Sequence, residues 1–269
     1  MELLTQILRS ITDRHVSLIA AGVAFYSFFA IFPGMAAIIA IWGLFSDPVV
    51  MREYLSQTHS LLPDMVFSVL STQLDALLGA RPHTLGWASL LSLAVALYSV
   101  HNGVSALISA VNAIQGHKPR GGVRGLIASI AMTAFLIVIA VCALGTVVVL
   151  PIVMQLVPLG QFAAPFLHVA PWVILLAVVL VSLGLFYRWG SNPTGRRHSW
   201  LSPGSVLATA LWVASSVGFS IYLANFGAYN RIYGSIGAIV ALLMWFWISA
   251  YIVLLGATLN AELWRRKDQ

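Results

Sequence analysis

Amide and hydroxyl side chains recur at helical spacing in three otherwise apolar stretches of the sequence. Tyr98, Asn102, Ser105, Ser109 and Asn112 follow one another at offsets of 4, 3, 4 and 3, which places them on one stripe of a helix. Ser205, Thr209, Ser216 and Ser220 make a second stripe, and Ser235, Ser249, Gly256 and Asn260 a third. In hydrocarbon a polar side chain needs a partner, so these faces are expected to point toward other helices rather than lipid. Two kinds of chemistry fit them. One is helix–helix contact through small and polar residues; the other is the lining of a path for a polar solute or a lipid headgroup. His101, next to Asn102, adds a group able to titrate, and a hydrogen-bonded core histidine is the competing reading.

Residues arranged for covalent or metal chemistry are missing from the pattern. The histidines at 15, 59, 83, 101, 117, 168 and 198 are dispersed, with no pair at metal-ligand spacing. Neither a Gly-rich phosphate loop nor a G-x-S-x-G elbow is present, and no two carboxylates share the end of an apolar stretch. The sequence therefore predicts no catalytic residue, no metal site and no cofactor. Glu262 precedes Trp264, Arg265 and Arg266 at the end of the last apolar stretch. It reads either as an interfacial carboxylate balancing those arginines or as a gate or headgroup contact. Pro33 interrupts the backbone hydrogen bonding of the first stretch and predicts a kink or break about a turn earlier. Tyr233, Gly234 and Gly237 open the last stretch, as a hinge or as a point of close helix approach.

The elements that carry these residues follow from composition. Of 269 residues, 60% are hydrophobic and 8% charged, whereas about 25% are charged in ordinary globular proteins. A soluble fold would lack the polar surface to cover itself, so the chain is expected to lie in a membrane. Uncharged stretches run His15–Ser46, Pro82–His117, Gly125–Tyr187, His198–Asn230 and Ile232–Ala261. A spanning helix needs about 20 residues, and the third stretch is long enough for two. Pro151, Pro158, Pro165 and Pro171 mark the connection within it. The expected spans are 17–45, 86–114, 126–150, 171–188, 203–226 and 234–260. The first stretch is too long for a cleavable signal and is expected to remain as a span. The sole cysteine, Cys142, lies in an apolar run and reads as a small core or lipid-facing residue.

Orientation follows from the basic residues. Arg9, Arg14, Lys118, Arg120, Arg124, Arg188, Arg196, Arg197, Arg265, Arg266 and Lys267 fall on one side of this pattern, against Arg52, Arg81 and Arg231 on the other. Cytoplasmic loops hold the excess, which predicts both termini inside. The net charge of +6 is explained by this distribution and by anionic headgroups rather than by nucleic acid. The segment 47–81 is then external. Its apolar positions Val66, Val69, Leu70, Leu74, Leu77 and Leu78 follow helical spacing, which predicts a short amphipathic helix between the first and second spans. The fold expected is all-α, one integral membrane domain over 1–269 with six transmembrane helices.

Longer motifs carry a family resemblance. The run Ala20-Ala21-Gly22-Val23-Ala24-Phe25-Tyr26, continuing to Phe32-Pro33, resembles the opening helix of the YihY/virulence factor BrkB family of bacterial inner-membrane proteins. So does Trp200 followed by Pro203-Gly204 and Thr209. A longer match is Asn230-Arg231-Ile232-Tyr233-Gly234-Ser235-Ile236-Gly237, then Trp245 and Leu255-Gly256-Ala257-Thr258-Leu259-Asn260-Ala261-Glu262-Leu263. The resemblance covers essentially the whole chain and implies a bacterial inner-membrane location and a six-helix core. Many members carry a ribonuclease label, against which stand the missing metal cluster, soluble domain and basic aromatic groove. It implies an envelope role in moving or handling lipid or a small solute. An accessory subunit acting through a protein partner is the alternative. Membrane lipids are the expected partners, and the oligomeric state is left open.

Overall fold

The computed structural model describes residues 2–43, 71–72, 75, 82–118, 120–156, 164–190, 192, 199–224 and 235–267. Among them there are helices and turns and no strand. The helices are α1 (Glu2–Asp13), α2 (Val16–Gly43), α3 (Pro82–Gln115), α4 (Gly122–Leu156), α5 (Ala164–Leu185), α6 (Pro203–Ala224) and α7 (Ser235–Lys267). A π-helical turn, Phe186–Gly190, continues α5. Five of them (α3 to α7) are long and apolar enough to cross a membrane, and the bent pair α1–α2 makes six if counted as one span. The all-helical, multi-pass architecture is thus the one the composition requires.

Several boundaries differ from expectation. The helix α2 is continuous across Pro33, so the chain does not break there. Losing one backbone hydrogen bond is tolerated in a long apolar helix whose remaining bonds are intact. The break lies earlier, at Arg14–His15, where α1 and α2 meet at 57°. His15 adopts φ +50°, a left-handed conformation that histidine enters more readily than most side chains. Its amide closes a tight turn on Thr12 O at 3.1 Å, and its carbonyl accepts the first bond of α2 from Ile19 at 3.1 Å. The helices α4 and α5 also reach into the proline-rich stretch from both sides, with Pro151 inside α4 and Pro165 in the first turn of α5. A proline costs little in a first turn, where its missing N–H would have no partner. Of the expected external segment 47–81, only Ser71, Thr72 and Asp75 are described, and they are helical. The rest of it, together with Tyr233 and Gly234, lies outside the described residues.

Backbone contacts gather the chain into two compact units. One comprises 1–23, 104–225 and 247–269; the other comprises 24–103 and 226–246. Among the described residues of the second unit the buried positions are small, namely Ala24, Ala30, Ala96, Ser99, Gly103, Gly237 and Ala241, the residue sizes that let helices approach closely in lipid. Phe25 lies edge-on to Tyr26 and stacks on Phe29, at centroid distances of 5.6 and 6.1 Å. In the first unit α5 packs against both α4 and α6. Large apolar side chains such as Ile127, Ile130, Val181, Val217 and Ile221 stay exposed, as lipid-facing residues should.

The C-terminus of α3 shows how these helices stop. Gly116 has φ +73°, its amide donates to Ala113 O at 3.3 Å, and the His117 amide donates to Asn112 O at 2.9 Å. These are the two bonds of a Schellman ending, which needs a left-handed residue after the last turn. An alanine there carries the left-handed penalty of roughly 1–2 kcal/mol. Gly116→Ala should therefore lower the thermal unfolding temperature of the detergent-solubilised protein, and Gly116→Asn should lower it less. Equal unfolding temperatures for Gly116→Ala and the unmodified chain would remove this account of the ending.

Candidate functional site

Within the first unit, one end of the bundle collects the C-termini of α3, α7 and the π-helical turn with the N-termini of α4 and α6. Each terminus exposes backbone groups that its own helix leaves unbonded, and side chains from other elements meet them. Arg265 of α7 donates through Nη2 to Ile114 O in the last turn of α3, at 3.1 Å. Arg120, just before α4, donates to Trp189 O and Gly190 O at 2.9 and 3.2 Å, closing the π-helical turn. A guanidinium at a helix C-terminus also meets the negative end of the helix dipole. Asn112 Oδ1 accepts the Asn192 amide at 2.7 Å, and Asn192 Nδ2 donates to Lys118 O at 3.0 Å. Loops 69 to 80 residues apart are thus joined through backbone groups.

The start of α6 is built in the same manner. Ser202 precedes Pro203, the first helical residue, a position suited to proline. Ser202 Oγ accepts the Ser205 amide at 3.2 Å, and Ser205 Oγ accepts the Ser202 amide at 3.1 Å. This is a reciprocal capping box with serine in the place usually held by glutamate. The next free amide, that of Gly204, donates to Asn260 Oδ1 at 2.8 Å, while Asn260 Nδ2 donates to Ser202 Oγ at 2.9 Å. One carboxamide on α7 therefore caps α6. It reaches because the two backbones touch: a Cβ on Gly204 would overlap Gly256 O, and a Cβ on Gly256 would lie 2.6 Å from the Tyr187 hydroxyl. Tyr187, fully buried in the π-helical turn, donates to Val253 O at 2.6 Å.

Beyond this junction a recess of about 410 Å³ opens between α1 and the end of α7. Gln6, Arg9, Ser10 and Asp13 of α1 line it, with Arg14 of the α1–α2 turn and Glu262, Arg265 and Arg266 of α7. Four arginines less two carboxylates leave it at a formal +2. Glu262 is buried and accepts from Arg265 Nη1 at 2.6 Å. Arg266 holds Gln6 Oε1 through Nε and Nη2, at 3.2 and 3.0 Å. Burial holds the Arg14 guanidinium below its usual pKa and the neighbouring Arg265 charge adds to this, while Glu262 and Asp13 act the other way. Four cations crowded at one place would repel, and two carboxylates only partly offset them. At the end of α3, burial likewise lowers the pKa of His117.

The residues singled out from spacing are distributed unevenly. Asn112, Ser205, Thr209, Gly256, Asn260 and Glu262 are buried in this unit. Ser105 Oγ meets Ser129 Oγ of α4 at 2.7 Å. Ser216 turns back to Trp212 O of its own helix at 2.8 Å. Ser249 is half-buried, and its hydroxyl has no hydrogen-bond partner among the described residues. Tyr98 is 68% exposed; Ser109 and Ser220 are exposed as well, and Asn102, His101 and Pro33 half-buried. The structure thus brings Asn260 and Glu262 to the same end of α7. Ser202, Tyr187, Arg14 and the whole of α1 enter the site without having been singled out. The signal for α1 was present, since Leu4, Ile7, Leu8 and Ile11 follow the i, i+3, i+4, i+7 spacing of an amphipathic helix.

These features define a multi-pass helical membrane protein with a basic, partly buried polar end. The chain matches the family described as virulence factor BrkB over residues 7–269, and it belongs to that family. It is similar to the ribonuclease-like protein YfkH of Bacillus subtilis (strain 168), with 26% identity over 271 residues covering 92% of this chain and 90% of that protein. It is also similar to a UPF0761 membrane protein of Xanthomonas oryzae pv. oryzae (strain PXO99A), 39% identical over 106 residues. A second such protein, of Xanthomonas axonopodis pv. citri (strain 306), is 40% identical over 106 residues. The matches to both Xanthomonas proteins cover 39% of this chain and 24% of those longer ones. No solved structure matches.

The α6–α7 junction yields two expectations. Asn260→Ala leaves the Gly204 amide and the Ser202 hydroxyl without their buried partner, a loss of about 1–3 kcal/mol. Its unfolding temperature should fall well below that of the unmodified protein. Gly256→Ala should do the same or abolish folded protein, because the Gly204 carbonyl at 2.5 Å and the buried Tyr187 hydroxyl at 2.6 Å both block the new methyl. Gly218→Ala, on α6 where a Cβ meets nothing within 4 Å, should be neutral or gain up to about 1 kcal/mol from helix propensity. Thermal unfolding of the three variants in one detergent compares them, and similar behaviour of Gly256→Ala and Gly218→Ala would contradict the junction.

Proposed function

We propose that the protein handles a lipid or a small polar solute in the bacterial inner membrane and performs no hydrolysis of its own. In this reading both chain termini face the cytoplasm, and the arginine-lined recess opens to that side. The observation that carries it is the recess itself, a basic, water-accessible cavity at the end of a bundle whose flanks are apolar. Such a site has access both to solution and to lipid headgroups. The polar residues near it support a role in positioning rather than reaction: Asn112, Asn260 and Ser202 are committed to backbone groups, and Glu262 to Arg265. A ribonuclease reading, suggested by the printed name of the Bacillus relative, finds little support in this geometry. The buried carboxylate of the recess, Glu262, is paired with Arg265, and among the described residues no three His, Cys, Asp or Glu side chains converge.

The test is reconstitution of the full chain into liposomes, with phospholipid scrambling measured alongside solute and proton flux. Scrambling or flux above protein-free vesicles is expected. Silence in every assay would overturn the handling reading and favour an accessory subunit working through a protein partner, for which co-purification of a stoichiometric membrane protein is the matching observation.

A further inference from the structure

The recess between α1 and α7 contains donors that the protein leaves unused. Ser10 is 7% exposed, lines the cavity, and its hydroxyl oxygen has no hydrogen-bond partner among the described residues. A buried hydroxyl in that state is costly unless something fills the gap. Arg9 and Arg14 flank it, and among the described residues neither guanidinium donates a hydrogen bond. Arg265 and Arg266 close the far wall, but their donors are largely engaged with Glu262, Ile114 O and Gln6. The cavity thus combines a formal positive charge with two guanidiniums and one hydroxyl that donate no hydrogen bond among the described residues, all on or beside the last turns of α1. A tetrahedral oxyanion matches this set, since guanidinium forks pair with its oxygens and the hydroxyl donates to another. Its position supplies the second argument. Leu8, on the other side of α1, stays exposed, so α1 has the character of a helix resting at the membrane surface with its polar face on the recess. Phosphate groups of lipids lie at that depth.

We propose that this recess is the recognition site for a phosphate-type oxyanion carried by the molecule the protein handles, with Arg9, Ser10 and Arg14 as its ligands. The proposal rests on the handling reading given above and names the chemical class it acts on. A lipid headgroup and a free phosphate share this chemistry.

The experiment uses the full chain purified in a neutral detergent, titrated with inorganic phosphate and with short-chain phosphatidic acid. Short-chain phosphatidylcholine, whose phosphate is shielded by a cation, is the control. The variants are Ser10→Ala and Arg14→Gln. Saturable binding of phosphate or phosphatidic acid, weakened by salt and about tenfold by each substitution, is expected. Because the Ser10 hydroxyl has no hydrogen-bond partner among the described residues, Ser10→Ala should unfold without ligand at a temperature no lower than the unmodified chain. That variant decides the matter even if Arg14→Gln fails to fold. Phosphatidic acid that excess phosphate fails to displace points to the lipid source; full displacement points to a small anion. Equal affinity in Ser10→Ala and the unmodified protein would overturn the site, as would equal binding of phosphatidylcholine. So would scrambling or flux that continues unchanged in Ser10→Ala after its binding is lost. Phosphate binding that depends on Ser10, in a protein silent in all transport assays, would sustain the site and overturn the handling reading instead.

Discussion

A helix end in a low-dielectric bundle carries backbone groups that the helix itself leaves unbonded, and water is not there to take them. Much of the first unit is an answer to that constraint. Asn260 caps α6 from α7, Arg265 caps α3 from α7, and Arg120 closes the π-helical turn from the start of α4. Each link is made to a backbone atom of another element. The bundle is held at this end less by apolar contact, which lipid would supply equally well, than by reciprocal capping. The Gly204–Gly256 contact is a precondition, because an asparagine side chain reaches the first turn of α6 only where the two backbones touch.

This arrangement separates two roles among residues of the same kind. Asn112, Asn260 and Ser202 are used up by the fold, and so is Arg120. Ser10 and Arg9 on α1 and Arg14 in the turn after it line the neighbouring recess and are left with capacity. Polarity alone does not distinguish the groups. What distinguishes them is whether a backbone terminus stands opposite.

Much of the architecture was legible in the chain because charge and hydrophobicity act over whole segments. Arg120 and Arg265, two of the basic residues that fall on one side of the span pattern, both bond helix ends at the same end of the first unit. Asn112, Asn260 and Glu262 were visible as polar residues closing apolar runs. Their partners were not, since Asn260 and Ser202 are 58 residues apart and nothing local in Ser-Pro-Gly-Ser says which helix will face it. The continuity of α2 across Pro33 was also hidden, because proline penalises a helix by an amount that tertiary packing and lipid can outweigh. Helix α1 is hard to read for the opposite reason: Glu2, Arg9 and Asp13 interrupt it, and its five apolar residues carry weight only when read at helical spacing.

The π-helical turn at Phe186–Gly190 holds one residue more than an α-helical path would. Each residue advances a helix by about 100°, so this extra one sets the phase in which the chain leaves α5. It turns the Tyr187 ring inward onto α7 and presents the Trp189 and Gly190 carbonyls to Arg120. The chain length between α5 and α6 is therefore constrained by angle as well as by reach. A one-residue deletion there would leave the helix well formed and still put its end out of step with both neighbours, whereas the same deletion in a surface loop would be absorbed. The turn works as a phase-setting insertion, and the bundle's rotational alignment depends on it.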